Sequence, residues 1–199
     1  MKLEVVALTP ERWSDLERLF GEKGACAGCW CMFWRLEKGE RFDDVKGPRA
    51  KARFRQLVLD GAARGHLAYA DGEPVGWVAR GPRRDFAKLD RAPSLTCDDA
   101  ERVHSVPCFF IKPGFRGRGV ATALLAAAVE GARLDGAELV EGYPVKGEKL
   151  PAAFAWTGTE SLFQKAGFSL AQARAKGKQR YRRALRANTS SRSPGRRSK

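Results

Sequence analysis

The sequence predicts an α/β domain in which strands alternate with helices, and three observations carry that expectation. Residues 103–134 read VHSVPCFFIKPGFRGRGVATALLAAAVEGARL, an apolar run, a glycine-arginine turn and then apolar residues at helical spacing. Asp71-Gly72 stands between two apolar runs, which is the signature of a hairpin. Residues 138–143, ELVEGY, read as a further strand just after the long helix. A right-handed crossover then lays this strand parallel to the one before the helix.

Taken in order, residues 3–8 read as a first strand. Thr9-Pro10-Glu11 opens a helix, with Thr as N-cap, Pro at the first position and an acid in the first turn. Trp13, Leu16 and Phe20 share its inner face, and Gly21 and Gly24 end it. Residues 26–35, CAGCWCMFWR, are too apolar for a solvated loop. They read either as a buried connection or as a lid over a pocket. Residues 38–48 read as a polar loop, and Ala50, Phe54, Leu57 and Val58 mark a second amphipathic helix. Strands follow at 66–70 and 75–80, and then a long polar connection at 81–102. Residues 103–111 are apolar on both faces and form the central strand. Pro107 has no N–H for a ladder, so the strand must bulge or lose pairing there. A helix over 119–134 places Val120, Leu124, Ala128 and Gly131 on one face. After a loop at 144–158, residues 159–167 form a last helix, and 170–185 give two strands around Gly177. The domain spans 1–185. Residues 186–199, RANTSSRSPGRRSK, lack apolar periodicity and read as a disordered basic tail.

The net charge of +14 is unevenly distributed. No Asp or Glu follows Glu160, while 12 of the 37 basic residues do, so the first 160 residues carry only +2. The basic end therefore does not by itself signal a nucleic-acid face, and no nucleic-acid motif accompanies it. No apolar run reaches the length of a membrane span, and the N-terminus lacks a signal-peptide stretch, so the expectation is a cytoplasmic protein. Of five cysteines, Cys26, Cys29 and Cys31 form C-x-x-C-x-C. Zinc needs four ligands, and only His66 and His104 could supplement them. The cluster reads as reduced thiols walling a pocket, with no metal.

The turn after the central strand holds the ligand signal. Glycines let backbone approach a ligand, and a helix start offers free N–H groups and the positive end of the dipole, which suits a phosphate. The nucleoside-triphosphate pattern is absent, and the dinucleotide pattern fails at Thr122. Arg116-Gly117-Arg118-Gly119-Val120-Ala121 fits [Q/R]-x-x-G-x-[G/A]. With the strand before it and the helix after it, this resembles the acetyl-CoA loop of the GNAT N-acetyltransferase superfamily. Glu73-Pro74-Val75-Gly76-Trp77 resembles that family's third strand, and residues 159–168 resemble its last helix and the Gly-Phe beyond.

The resemblance covers about 75–185. It implies a GNAT-type mixed, splayed sheet flanked by helices, and transfer of an acetyl group from acetyl-CoA directly to an amine of a small molecule or peptide. The donor is expected on the backbone of Phe109, Phe110 and Ile111, on Arg116, Gly117, Arg118, Gly119, Val120 and Ala121, and beside Phe163. Phe163 stands where the family commonly has a tyrosine that protonates the departing thiolate. Phenylalanine has no such proton, so Tyr143, Ser161 or water is left for that task. Glu141, a carboxylate in a buried strand, and His104 are the main candidate bases, with Glu101 a further one. Cys108 reads as core. Trp30, Trp34 and Trp156 suggest an aromatic acceptor pocket. The expected partners are acetyl-CoA and an amine still to be identified, without membrane or nucleic acid, and a homodimer is left open. The alternative is a non-catalytic acyl-CoA-binding regulatory module, motivated by Phe163.

Overall fold

The computed structural model describes residues 1–93, 95–146, 155–174 and 177–185. The expected basic tail and the middle of the 144–158 loop lie outside the described residues. Seven strands form one sheet in the order β1-β2-β3-β4-β5-β7-β6. They are β1 Leu3–Ala7, β2 Arg64–Ala70, β3 Glu73–Pro82, β4 Val103–Ile111, β5 Leu139–Gly142, β6 Ser169–Gln172 and β7 Arg180–Ala184. Only β4 and β5 pair in parallel, through four residue pairs from Val103–Leu139 to Val106–Gly142, and every other neighbour is antiparallel. The sheet is therefore mixed, as the sequence predicts.

Alternate strand residues point to opposite faces, and helices cover both. On one face Leu67, Trp77 and Ala79 meet α1 (Trp13–Phe20) and α3 (Pro48–Leu59). On the other, Ala68, Val78 and Val106 meet α4 (Val120–Leu134) and Phe163 of α5 (Glu160–Lys165). Leu124, Leu125 and Ala128 of α4 are wholly buried. At about 1.5–3 kcal/mol for each large apolar side chain, this packing outweighs the cost of Gly131 within the helix, about 1 kcal/mol.

Two expectations need amendment. Residues 38–48 are not simply loop, because Phe42–Val45 makes a short helix, α2, with Val45 buried. One buried apolar residue holds such a turn, too little to show as periodicity. The connection after β3 is not simply polar either. Phe86, Leu89 and Leu95 form a third core cluster with Trp34 and Tyr143. Among the described residues no helix is long and apolar enough to cross a membrane.

Candidate active site

Pro107 decides the shape of the site. Between β3 and β4 the register shifts, with Ala79 opposite Cys108 but Gly81 opposite Ser105, so β4 carries one extra residue around Val106-Pro107. Pairing of β4 with β5 ends at Val106. Beyond it, the outer side of β4 is open. Lys112 N–H donates to the Val75 carbonyl at 2.9 Å, which makes that pair a hydrogen-bonded one. Alternation then turns the backbone groups of Phe109 and Ile111 away from β3, into the gap. Two side chains reach the same side, as the Trp34 indole donates to the Pro107 carbonyl at 3.1 Å and Arg116 Nε to the Ile111 carbonyl at 3.2 Å.

The gap opens into a cleft of about 460 Å³. One wall is Phe109–Ile111, its end is the turn from Arg116 to Thr122, and Gly158, Thr159 and Leu162 close the far side. Gly119 is the N-cap of α4 at φ 81°, and no side chain caps that helix. The first N–H groups of α4 have no partner within the helix. A Cβ on Gly117 or Gly119 would meet nothing within 4 Å, so the space beside the turn is open. Free donors, a positive helix end and room beside them fit a pyrophosphate. Arg118 does not line the cleft; its guanidinium lies 5.8 Å from the centre of the Phe115 ring.

A second cavity of about 160 Å³ adjoins the cleft and shares Cys26, Phe109, Phe110 and Trp156 with it. Aromatic rings and thiols wall it, including Phe33, Trp34, Phe86, Cys29, Cys31 and Cys108. The 26–35 segment thus acts in both expected ways, since Trp30 and Met32 are core while Cys26, Phe33 and Trp34 face the cavity. Trp30 stacks on Trp13 in that core and does not wall the cavity. Ala25, Ala27, Trp30 and Cys31 all take positive φ, a strained backbone for residues with a Cβ. The Trp77 indole donates to Cys31 Sγ at 3.0 Å. A hydrogen bond from Cys108, then that indole and the Arg35 charge, hold the Cys31 thiol below its ordinary value against burial. Burial, then Cys31, pushes Cys29 up to about 12. Among the described residues no three His, Cys, Asp or Glu side chains converge as metal ligands.

The expected acid–base residues stand elsewhere. Glu141 is wholly buried, with one oxygen 2.8 Å from Arg83 and the other on Arg182, and lines neither cavity. Its oxygens serve two guanidinium groups rather than facing an acceptor in either cavity. Tyr143 is also wholly buried; its hydroxyl meets Arg83 at 2.8 Å and Ser105 at 2.7 Å. Burial and then the Glu141 charge push its phenol well above its usual value. His104 lies 3.9 Å from Asp135, beside Arg80 and away from both cavities, and burial takes its pKa down to about 4. Glu101 pairs with Arg84 at the exposed surface.

Phe163 does not line the cleft. Helical spacing brings Thr159 and Leu162 to the cleft, while Phe163 turns inward between Phe109 and Phe168. It fills the notch where β4 and β5 part, so it packs under the cleft rather than in it. Phe115, Thr122, Thr159, Leu162 and Trp156 line the cleft without having been singled out for it. Thr159 carried a signal, as the N-cap of α5 accepting from Leu162 N–H at 3.2 Å.

The family model described as "Acetyltransferase (GNAT) family" matches residues 29–145. Comparison with curated proteins gives no match. Among solved structures, an N-acetyltransferase from Staphylococcus aureus is 13% identical, with a TM-score of 0.54 over 94% of this chain and 100% of that one. The PaiA N-acetyltransferase of Thermoplasma acidophilum, in complex with coenzyme A, is also 13% identical, with a TM-score of 0.53 over 93% and 100%. A phosphinothricin acetyltransferase from Sinorhizobium meliloti, in complex with acetyl-CoA, is 14% identical, with a TM-score of 0.54 over 98% and 95%. At these identities the likeness is one of fold.

Proposed function

Because this chain belongs to the acetyltransferase (GNAT) family, we propose that it moves an acetyl group from acetyl-CoA directly to an amine. The observation that carries this is the meeting of two cavities at Phe109, Phe110, Cys26 and Trp156. One is a cleft with a phosphate-suited helix start at its end, and the other an apolar chamber for an acceptor. The coenzyme A and acetyl-CoA complexes of two similar folds support the choice of donor.

In this reading the free N–H groups at the start of α4 hold the pyrophosphate, and Arg116 adds charge there. The backbone of Ile111 and Phe109, which has no partner strand on that side, holds the pantetheine arm as a further strand would. The donor supplies an activated acetyl thioester. The Phe109 N–H, turned into the gap, stabilises negative charge growing on its carbonyl oxygen. The amine nitrogen forms a bond to the carbonyl carbon, the carbon–sulfur bond breaks, and one amine proton ends on the sulfur. Among the described residues the cleft and chamber walls present no His, Asp or Glu. The apolar chamber takes over part of a base's task, since it disfavours the charged ammonium and admits the neutral amine.

That lack of a His, Asp or Glu also favours a second reading, a non-catalytic acyl-CoA binder. Calorimetry with acetyl-CoA, followed by coenzyme A release across an amine panel, separates the two. Binding with amine-dependent release supports transfer, and binding without release supports the binder. Gly119→Glu places a carboxylate at the start of α4 and is expected to lower donor affinity at least a hundredfold. Unchanged affinity would move the donor away from this turn.

A further inference from the structure

Cations stand against the rings that wall the acceptor chamber, although none of them lines it. Lys88 Nζ stands 3.5 Å from the centre of the Phe33 ring, and the Arg35 guanidinium 4.6 Å from that of Phe86. Lys178 Nζ lies 5.5 Å from Trp34 and 5.3 Å from Trp156. All four rings line the chamber, and among the described residues no Asp or Glu does. Asp85 acts on Arg35 alone of the three cations. The chamber is therefore apolar and lies in a positive field. It offers an ammonium group no counter-charge, which disfavours polyamines and amino sugars.

Its size narrows the choice. A volume of about 160 Å³ is close to that of an apolar cavity that takes one benzene ring, roughly 150 Å³. A flat ring would lie against the aromatic wall that Phe33, Trp34 and Trp156 form together. Lysine stems are long and flexible, so Lys178 and Lys88 can slide from ring faces to an anion at the rim. An amine attached directly to an aromatic ring is also largely neutral at pH 7. It needs no base, which matches walls without a His, Asp or Glu.

We infer that the acceptor is a small aromatic amine bearing a carboxylate, its ring in the apolar chamber and its acid group at Lys178 and Lys88. This rests on the acetyltransferase reading. The test uses the full chain, acetyl-CoA, the three aminobenzoates, their methyl esters and spermidine. For at least one aminobenzoate, kcat/KM is expected to exceed that of its ester tenfold or more, with spermidine far below both. Lys178→Met, checked for an unchanged melting temperature, is expected to bring the acid-to-ester ratio towards one, mostly through KM. Lys88→Met is the second variant should Lys178→Met fail to fold. Preference for spermidine, equal rates on acid and ester, or a ratio that survives both variants would overturn the inference. Saturation-transfer NMR on the coenzyme A-loaded protein supplies a readout without turnover. If the donor binds but no aminobenzoate binds or reacts, this inference falls alone. If the donor itself fails to bind, the acetyltransferase reading falls.

Discussion

Glu141 shows how one side chain can be notable in a sequence for a reason other than chemistry. A carboxylate inside an apolar strand does need an explanation, and here it is two arginines arriving from distant segments, Arg83 and Arg182. Arg182 continues to Asp99, and Arg83 to Asp90 and the Leu95 carbonyl. Glu141→Gln takes one carboxylate from each guanidinium and leaves it the other, Asp90 or Asp99, so it is expected to cost roughly 1.5–3 kcal/mol of stability. Denaturant unfolding measures it, and a loss under 1 kcal/mol would refute the account. The histidines follow the same logic. Burial and then Arg80 take His66 down to about 4, and burial takes His104 to about 4 against Asp135, with Arg64 and Arg80 facing the pair. An unfolded histidine titrates near 6.5. Between those values the unfolded chain binds more protons, so stability falls as pH drops from 6.5 towards 4. The melting temperature is expected to decline across that window, and less steeply in the His66→Gln/His104→Gln double variant. Equal slopes would place the effect on other groups.

At the scale of elements, α4 and β4 were the most legible parts. Their apolar patterns and the glycine turn between them are local properties of the chain, and the structure ends β4 at Ile111 and starts α4 at Val120. Pro107 announced the bulge because its missing N–H is a covalent fact. The helix carrying Phe163 was legible, but its rotation was not. Which of Leu162 and Phe163 faces a cleft depends on what packs below, and that is Gly142 at the end of β5, the strand before α5 in the chain. A Cβ on Gly142 would lie 2.1 Å from Cε1 of Phe163. Gly142→Ala is therefore expected to destabilise the fold by about 1–3 kcal/mol through overpacking. Adding Phe163→Leu should recover part of that, as a thermal-melting double-mutant cycle would register. Strict additivity of the two changes would mean that the contact does not govern the site.

For the whole molecule, the mixed sheet, its parallel β4–β5 pair and the helices on both faces could be expected from alternation, crossover handedness and resemblance. The partners of charged and aromatic groups could not, because they join residues far apart in the chain. Trp34 reaching the Pro107 carbonyl and Arg83 reaching Glu141 are examples. The expected acid–base residues stand away from the cleft for this reason, whereas the turn at Arg116–Ala121, a contiguous feature, lies at the cleft apart from the side chain of Arg118.

The short parallel seam between β4 and β5 has a consequence for how the molecule opens. Four residue pairs join β1–β4 to the β5-β7-β6 group, and above them the strands part. Cooperative opening units tend to follow such divisions. Native-state hydrogen exchange should then find the amides of β5, β6 and β7 exchanging together, at a lower opening free energy than those of β2 and β3. Acetyl-CoA touches both sides of the parting in our reading, so it should slow the first group more than the second. A single exchange rate shared by all seven strands, unchanged by the donor, would mean that the seam is no weaker than the sheet around it.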